Sequence, residues 1–409
     1  MSRKVLLILL YLYALVYSVL KTIRFPNDWS EAHWMLDYKF GFIKRGLAGE
    51  ILGWFFQKNE FNILILSGGI LFLLYSFIFI IAVKESFRRE NSLYSLLFFA
   101  TFFLSQYIIF SAHLIGYLDH LVFLMAILSI FLIKRKNIFW ASVVAAISIF
   151  IHELSFFLLL PVSCFALVVT YTDVEKFSRK TILSAGITKK LIAFLLLPLM
   201  ATLFISMYQE ISGEDYFLTL FNYLKEIPFI TDKAANSVSS AYTKSFSYYF
   251  KEESGHFIQR LLISKATVLY GIPMVFSLWM IFKEFNLKYN LRVLLLLAIV
   301  SFIPLLLHAI AYDTYRIWSF PFIILFLGFW ILSPAFPLEP RNHTHISATE
   351  IIFFIVSFIL ITLVPNVLFD GETERFTLLT RLLLIVPMLA ILYFLKKPQS
   401  KRIETLKSI

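Results

Sequence analysis

A few ionisable residues in this chain stand at the margins of long apolar runs: Asp37, Lys44, Arg45, Asp119, His152, Glu153, Asp313 and Arg316. Such groups are expensive at membrane depth, so they mark functional sites by default. His152-Glu153 separates the apolar runs Trp140–Ile151 and Leu154–Leu160. An imidazole beside a carboxylate can perform acid–base work or hold a metal. The plainer reading is a polar pair capping two helix ends. In Asp313-Thr314-Tyr315-Arg316 the spacing puts the first and last residues on one helix face. They are either an ion pair at a membrane edge, or an aspartate polarising a hydroxyl beside an arginine that holds a phosphate. The segment from Asp37 to Glu50 carries Lys44-Arg45, then Gly46 and Gly49. An arginine fork matches phosphate oxygens, and glycines let a backbone or a lipid headgroup approach closely. Against that stands an interfacial helix with snorkelling basic residues. His113, Asp119 and His120 form a fourth group.

The elements that must position these residues follow from composition. The chain has 409 residues, of which 59% are hydrophobic and only 15% charged, with a mean hydropathy of +0.80. Soluble domains are about 45–50% apolar and roughly 25% charged. A soluble fold could not hide this much apolar surface, so the bilayer is the expected solvent. The net charge of +11 does not point to nucleic acid, because the basic residues are spread over short loops between apolar runs. The single cysteine, Cys164, lies inside an apolar run. It excludes an internal disulfide and a thiol metal cluster, and it reads as a buried small hydrophobe.

Apolar stretches predict spans near 4–22, 62–83, 92–112, 118–133, 138–152, 154–172, 191–208, 266–282, 293–311, 317–334, 350–368 and 378–395. The first follows Arg3 and Lys4, lacks a small-x-small cleavage site, and reads as a retained helix. Basic clusters at Lys84/Arg88/Arg89, Lys134–Lys136, Lys176–Lys190, Lys283/Lys288/Arg292 and Lys396–Lys407 set the orientation. They share the cytoplasmic side only if 138–172 crosses twice. One helix of that length would run roughly 50 Å through a ~30 Å core. Two short helices turning at His152-Glu153 fit better than one long helix kinked at Pro161. The expected fold is therefore all-α: a polytopic transmembrane helix bundle of about twelve spans, both termini cytoplasmic, with residues 1–409 as a single integral membrane domain. The two long non-cytoplasmic loops, 23–61 and 209–265, hold aromatic amphipathic stretches suited to the membrane interface. The sequon Asn342-His343-Thr344 falls on the cytoplasmic side in this scheme and is discounted. All four ionisable groups then converge on the outer leaflet, as one site would require.

There is no Walker sequence, dinucleotide loop, His-Glu-x-x-His or Gly-x-Ser-x-Gly. The overall topology, the long outer loop 209–265 and the isolated Asp and Arg residues at the outer face resemble two groups of bacterial envelope proteins. One is the O-antigen and capsule polymerases of the Wzy type, including EpsG-like proteins. The other is the GT-C glycosyltransferases, which use polyprenyl-phosphate sugars. The second resemblance implies an acidic residue in the first outer loop, for which Asp28, Glu31 and Asp37 are candidates. The first implies loop arginines, and Arg45, Arg260 and Arg316 could match.

The resulting expectation is a multi-pass glycosyltransferase or polymerase for surface polysaccharide biosynthesis in the bacterial inner membrane. It would act on polyprenyl-(pyro)phosphate-linked saccharides, alongside other polysaccharide-assembly proteins. Glu153, Asp119 or Asp37 would act as base on the acceptor hydroxyl, with His152 assisting. Lys44, Arg45 and Arg316 would hold the phosphate, with Asp313, Arg260 and His113 completing the substrate site. No cofactor is implied, though a divalent cation could accompany the phosphates. Two other classes use the same residues. A transporter or flippase would line a permeation path with them. A membrane metal hydrolase would use His113, His120, His152 and Glu153 as ligands.

Overall fold

The computed structural model describes residues 3–90, 92–172, 184–212, 216–336 and 347–396, and every regular element among them is helical. The bundle opens with α1 (Arg3–Thr22), followed in the first predicted loop by α2 (Asp28–Met35) and α3 (Gly46–Phe55). Next come α4 (Glu60–Arg88), α5 (Leu93–Leu104), α6 (Gln106–His113), α7 (Asp119–Lys134), α8 (Ile138–Ile151), α9 (Ser155–Tyr171) and α10 (Ala185–Ser212). The second predicted loop holds α11 (Phe217–Lys225), α12 (Asp232–Thr243) and α13 (Phe246–Glu253). The chain then returns through α14 (Lys265–Glu284), α15 (Leu291–Phe302), α16 (Thr314–Leu332), α17 (Ala348–Thr362) and α18 (Leu378–Lys396).

Eight helical segments are long and apolar enough to cross a membrane: α1, α4, α5–α6, α10, α14, α15 with its extension to Ala309, α16 and α18. Three shorter apolar helices, α8, α9 and α17, accompany them. This is the architecture of a multi-pass membrane protein. Its outer surface agrees, since Ile192, Leu196, Met200, Leu203 and Met207 make an exposed apolar stripe along α10. The span predicted at 92–112 is jogged at Ser105, whose hydroxyl donates to the Phe102 carbonyl at 2.6 Å and diverts the helical ladder.

The segment 138–172 is two helices. His152 is extended (φ −159°, ψ 124°), and Leu154 restarts the helix. The Ser148 and Ser155 hydroxyls meet at 2.7 Å across the turn, while Ser129 of α7 meets Ser163 of α9 at 3.1 Å. Thus α9 runs back along α7 and does not prolong α8. Pro161 lies inside α9 without ending it.

Helix ends collect into two sets. At one end Arg89 pairs with Glu284 at 2.6 Å, Lys134 donates to the Trp330 carbonyl at 2.7 Å, and Lys283 pairs with Glu350 at 2.9 Å. This is the end where charge arithmetic puts the basic clusters. The parts of those clusters at Lys176–Lys180 and beyond Lys396, and the sequon at Asn342, lie outside the described residues. The other end carries 23–59, 152–154, 216–263 and 310–316. Arg135 and Tyr312 are both exposed, at opposite ends. In a Cys164→Ser background, Tyr312→Cys is expected to react with an impermeant thiol reagent from outside the cell, and Arg135→Cys only after permeabilisation. Labelling of both from the same side would break the two-ended arrangement.

The two long loops are more ordered than interfacial stretches. They pack on one another as a cap with its own core, in which Trp34, Leu36, Ile43 and Leu52 meet Leu220, Leu224, Val238 and Tyr242. The turns are fixed by Asn27, Thr231 and Ser245, whose side chains accept the first free amides of α2, α12 and α13. Gly49 makes α3 fit. A Cβ there would stand 2.0 Å from the Leu36 carbonyl oxygen. The glycine serves a backbone approach inside the cap, not a lipid headgroup.

Candidate functional site

A cavity of about 440 Å³ lies where the cap meets the bundle. The cap supplies His33, Lys44, Arg45, Tyr249 and Glu253 to its wall; the bundle supplies His152, Glu153, Gln209, Asp313 and Arg316. Residues up to nearly three hundred positions apart are thereby joined, as convergence on one side requires. One flank is apolar, with Phe156, Phe157 and Ile205.

Arg45 is the centre of the polar wall. It donates Nε to Glu153 Oε2 at 2.7 Å and Nη2 to Oε1. This uses one edge of the guanidinium; Nη1 has no hydrogen-bond partner among the described residues. The backbone of Arg45 is left-handed (φ 63°), just ahead of α3. A non-glycine residue there costs about 1–3 kcal/mol, and such strain gathers at functional sites. The surrounding packing keeps the cost because the chain must turn between Ile43, buried in the cap, and α3.

Lys44 donates to the Lys244 carbonyl at 2.7 Å and stands 4.0 Å from Glu153 Oε1. Burial draws its ammonium down to about 8, with Glu153 only partly opposing the shift. Burial alone would raise the Glu153 carboxyl, but Arg45, His152 and Lys44 overcome it and hold the group well below the usual carboxylate range. Glu153 is thus a fixed anion. Burial, then Arg45, keeps His33 neutral, its Nδ1 3.3 Å from the Tyr242 hydroxyl.

The Leu154 amide donates to His152 Nδ1 at 3.2 Å. In the neutral ring this leaves the proton on Nε2, which points toward Asp119 Oδ1 at 4.0 Å. Asp119 does not reach the cavity. It lies behind Arg316 and accepts from its Nε at 2.9 Å and Nη2 at 2.6 Å. Arg316 gives its remaining nitrogen, Nη1, to Asp313 at 3.0 Å. Its fork is filled by carboxylates, so phosphate-holding capacity rests with Arg45 and Lys44 instead. Asp119 therefore holds Arg316 in place and does not line the cavity.

Other sequence candidates lie elsewhere. Asp37 caps the short turn Tyr38–Phe40 through the Lys39 amide and pairs with Lys58. It borders a separate surface groove with Glu50 and Trp54. Its part in the site is corrected for an elementary reason: an aspartate before a turn is captured by the nearest free amide. Asp28 accepts from Thr231 and ties α2 to α12. Arg260 pairs with Glu253 at 2.5 Å and donates to the Ala311 carbonyl, bracing the wall from behind. His113 Nε2 faces the Phe369 carbonyl at 3.4 Å, and both nitrogens of His120 face backbone carbonyls. Among the described residues no three His, Cys, Asp or Glu side chains are placed to share a metal ion, so the ligand set of the hydrolase reading does not assemble.

No protein-family model, curated protein or solved structure matches the chain. The site must be read from its own chemistry. The sequence reading missed His33, Gln209, Tyr249 and Glu253. His33 was legible as one more ionisable group in the first loop. The others lie in helices whose inward faces only the cap's packing defines.

The Lys44 charge sets a pH dependence. Lys44 is lowered from 10.5 toward about 8 on folding, so the unfolded chain binds more protons between those values. Its burial penalty is present below about pH 8 and is relieved as pH rises from there. Anion binding should run the other way, weakening as the ammonium deprotonates. Titrating inorganic pyrophosphate against the reconstituted protein should show affinity falling above about pH 8, and Lys44→Arg should move that fall upward by at least a unit. An unshifted profile would remove Lys44 from the anion site.

Proposed function

We propose that the chain is a membrane glycosyltransferase or polymerase acting on polyprenyl-(pyro)phosphate-linked saccharides at the outer leaflet of a bacterial inner membrane, for surface polysaccharide assembly. The shorter helices α7, α8, α9 and α17 then count as spans beside the eight longer segments, giving about twelve in all, with the cap outside. The observation that carries the reading is the cavity's polarity. Of its three cations Arg316 is filled by carboxylates, which leaves Lys44 and Arg45 to face an aromatic, apolar flank. That pattern suits an amphiphile with a phosphate head and a hydrocarbon tail.

In this reading Arg45 keeps Glu153 on its Nε/Nη2 edge and offers Nη1 to the phosphate, with Lys44 as a second positive charge. A bound phosphate competes for Arg45 and so returns basicity to Glu153. The acceptor hydroxyl passes its proton to Glu153 as its oxygen bonds the anomeric carbon. The bond from that carbon to the phosphate oxygen breaks, and its electron pair stays on the phosphate, where Arg45 and Lys44 neutralise it. Preorganised charge at the leaving oxygen supplies most of the acceleration in such a step. His152 adjoins the carboxylate, its Nδ1 3.3 Å from Oε2. Against a transport path, the Arg89–Glu284, Lys283–Glu350 and Asp119–Arg316 pairs lie at helix ends, not along the bundle's middle.

The test is transfer itself. The protein in nanodiscs, supplied with a polyprenyl-pyrophosphate oligosaccharide, should yield a longer lipid-linked glycan and free polyprenyl pyrophosphate. If no product forms while the same substrate crosses vesicle membranes only when the protein is present, the transport reading replaces this one.

A further inference from the structure

A second cavity, about 330 Å³, lies against the first. The two share one wall, made of Tyr312, Asp313 and Arg316. On the far side of that wall the lining is Phe110, Thr314, Tyr315 and Val367–Phe369. Segment 312–316 is therefore a septum one residue layer thick, with a chamber on each face.

The chemistry of the two chambers differs. In the first, Lys44 and Arg45 face open space with donor capacity to spare. In the second, Arg316 is the only cation in the lining among the described residues, and its Nε, Nη1 and Nη2 are all committed to Asp119 and Asp313. An anion would gain little there. The wall offers instead aromatic faces, from Tyr312, Tyr315 and Phe369, alternating with a hydroxyl at Thr314 and the carboxylate–guanidinium couple. Aromatic faces are electron-rich and attract the polarised C–H groups of a sugar ring. The Thr314 hydroxyl can donate and accept, and the Asp313 carboxylate can accept, which suits the vicinal hydroxyls of a sugar. The volume falls within the ~300–1,000 Å³ of small-molecule sites. Tyr312, which borders both chambers, is 64% exposed.

We infer that the second cavity binds an uncharged saccharide segment, and that the septum separates it from the phosphate-bearing substrate in the first. As an acceptor site this rests on the transfer reading above; as a glycan site it does not. The arrangement gives a physical reason for the Asp119–Arg316–Asp313 chain. It stiffens the septum, so that two ligands meet at a fixed separation, and rigid juxtaposition of two reactants is itself worth several kcal/mol of a barrier.

The probe is a pool of lipid-free short oligosaccharides released by mild acid from the host's own envelope glycans. Binding is read by saturation-transfer NMR with the full chain in nanodiscs. Val367 is half-exposed at the rim of the second cavity, so Val367→Trp should plug it from outside the core. Ser206→Trp plugs the first cavity instead. The expected result is binding by the parent protein, weakened at least tenfold by Val367→Trp and unchanged by Ser206→Trp. Should Val367→Trp unfold, Tyr315→Leu removes one stacking face and should weaken binding in the same direction. No binding by the parent protein, or loss with Ser206→Trp alone, overturns the assignment. The transfer assay is independent. Glycan binding without transfer would retain this site and discard the transferase reading; transfer that neither Val367→Trp nor Tyr315→Leu alters would do the reverse.

Discussion

Replacing Arg45 with alanine is expected to cut glycan transfer by about a hundredfold or more, the scale on which removing one preorganised donor to a developing oxyanion acts. Arg45→Lys should recover little of it. Lysine restores the charge, but its single ammonium cannot keep Glu153 on one edge while offering another edge to a phosphate. The left-handed backbone at this position makes the comparison clean, because alanine and lysine bear about the same steric cost at φ 63° as arginine does. Differences among the variants therefore belong to the side chain. The Glu153 side chain left behind is 31% exposed and keeps Lys44 4.0 Å away. Its loss of a partner should cost about 1–2 kcal/mol, short of the ~3–5 of a fully buried broken pair. The measurement is initial transfer rate at matched levels of inserted protein. Full activity of Arg45→Lys would reduce the role of Arg45 to charge attraction.

The second large effect concerns stability. Asp119 and Arg316 have side chains 8% and 11% exposed and meet at 2.6 Å. Asp119→Asn leaves Arg316 with Asp313 alone, and Arg316→Met leaves two carboxylates facing one another. Arg316→Met should cost about 3–5 kcal/mol, since it strands buried charge, and Asp119→Asn less, about 2 kcal/mol, because Arg316 keeps Asp313. The double variant should lose less than the sum of the two, by about 2 kcal/mol or more, because the stranded partner is gone as well. Thermal unfolding of the parent, both singles and the double in one detergent closes the cycle. Additive losses would separate the pair. An Asp119→Asn variant as stable as the parent yet inactive would return Asp119 to the chemistry as a base.

The fold was legible wherever one physical rule dominated. Hydrocarbon length and charge asymmetry between them located the break at His152, because a single helix over 138–172 would put like-signed clusters on opposite sides. The same rules say nothing about how loops pack. Segments 23–61 and 209–265 looked like independent surface strips because Trp34 and Leu52 need partners nearly two hundred residues away, at Leu220 and Val238. For the site, residue type at a helix margin found Lys44, Arg45, His152, Glu153, Asp313 and Arg316, all of which the cavity gathers. It also found Asp37 and His113, the first held by a local amide and the second facing the distant Phe369 carbonyl. The sequence does not distinguish a carboxylate that caps a turn from one that faces a ligand. Nor does it show that the fork of Arg316 is filled from behind.

The cap also bears on how the chain reaches the membrane. Its two halves are made far apart in time. Roughly 170 residues separate Leu52 from Leu220, which at ~5–20 residues per second is about ten to thirty seconds of synthesis. With the cap outside, as proposed, the first half would cross the bilayer in that interval with Trp34, Leu36 and Leu52 uncovered, while the helices that will cover them are still on the ribosome. Biogenesis therefore passes through a state with a sticky, half-built roof, which the lipid interface or a chaperone beyond the membrane must shelter until α11 and α12 arrive.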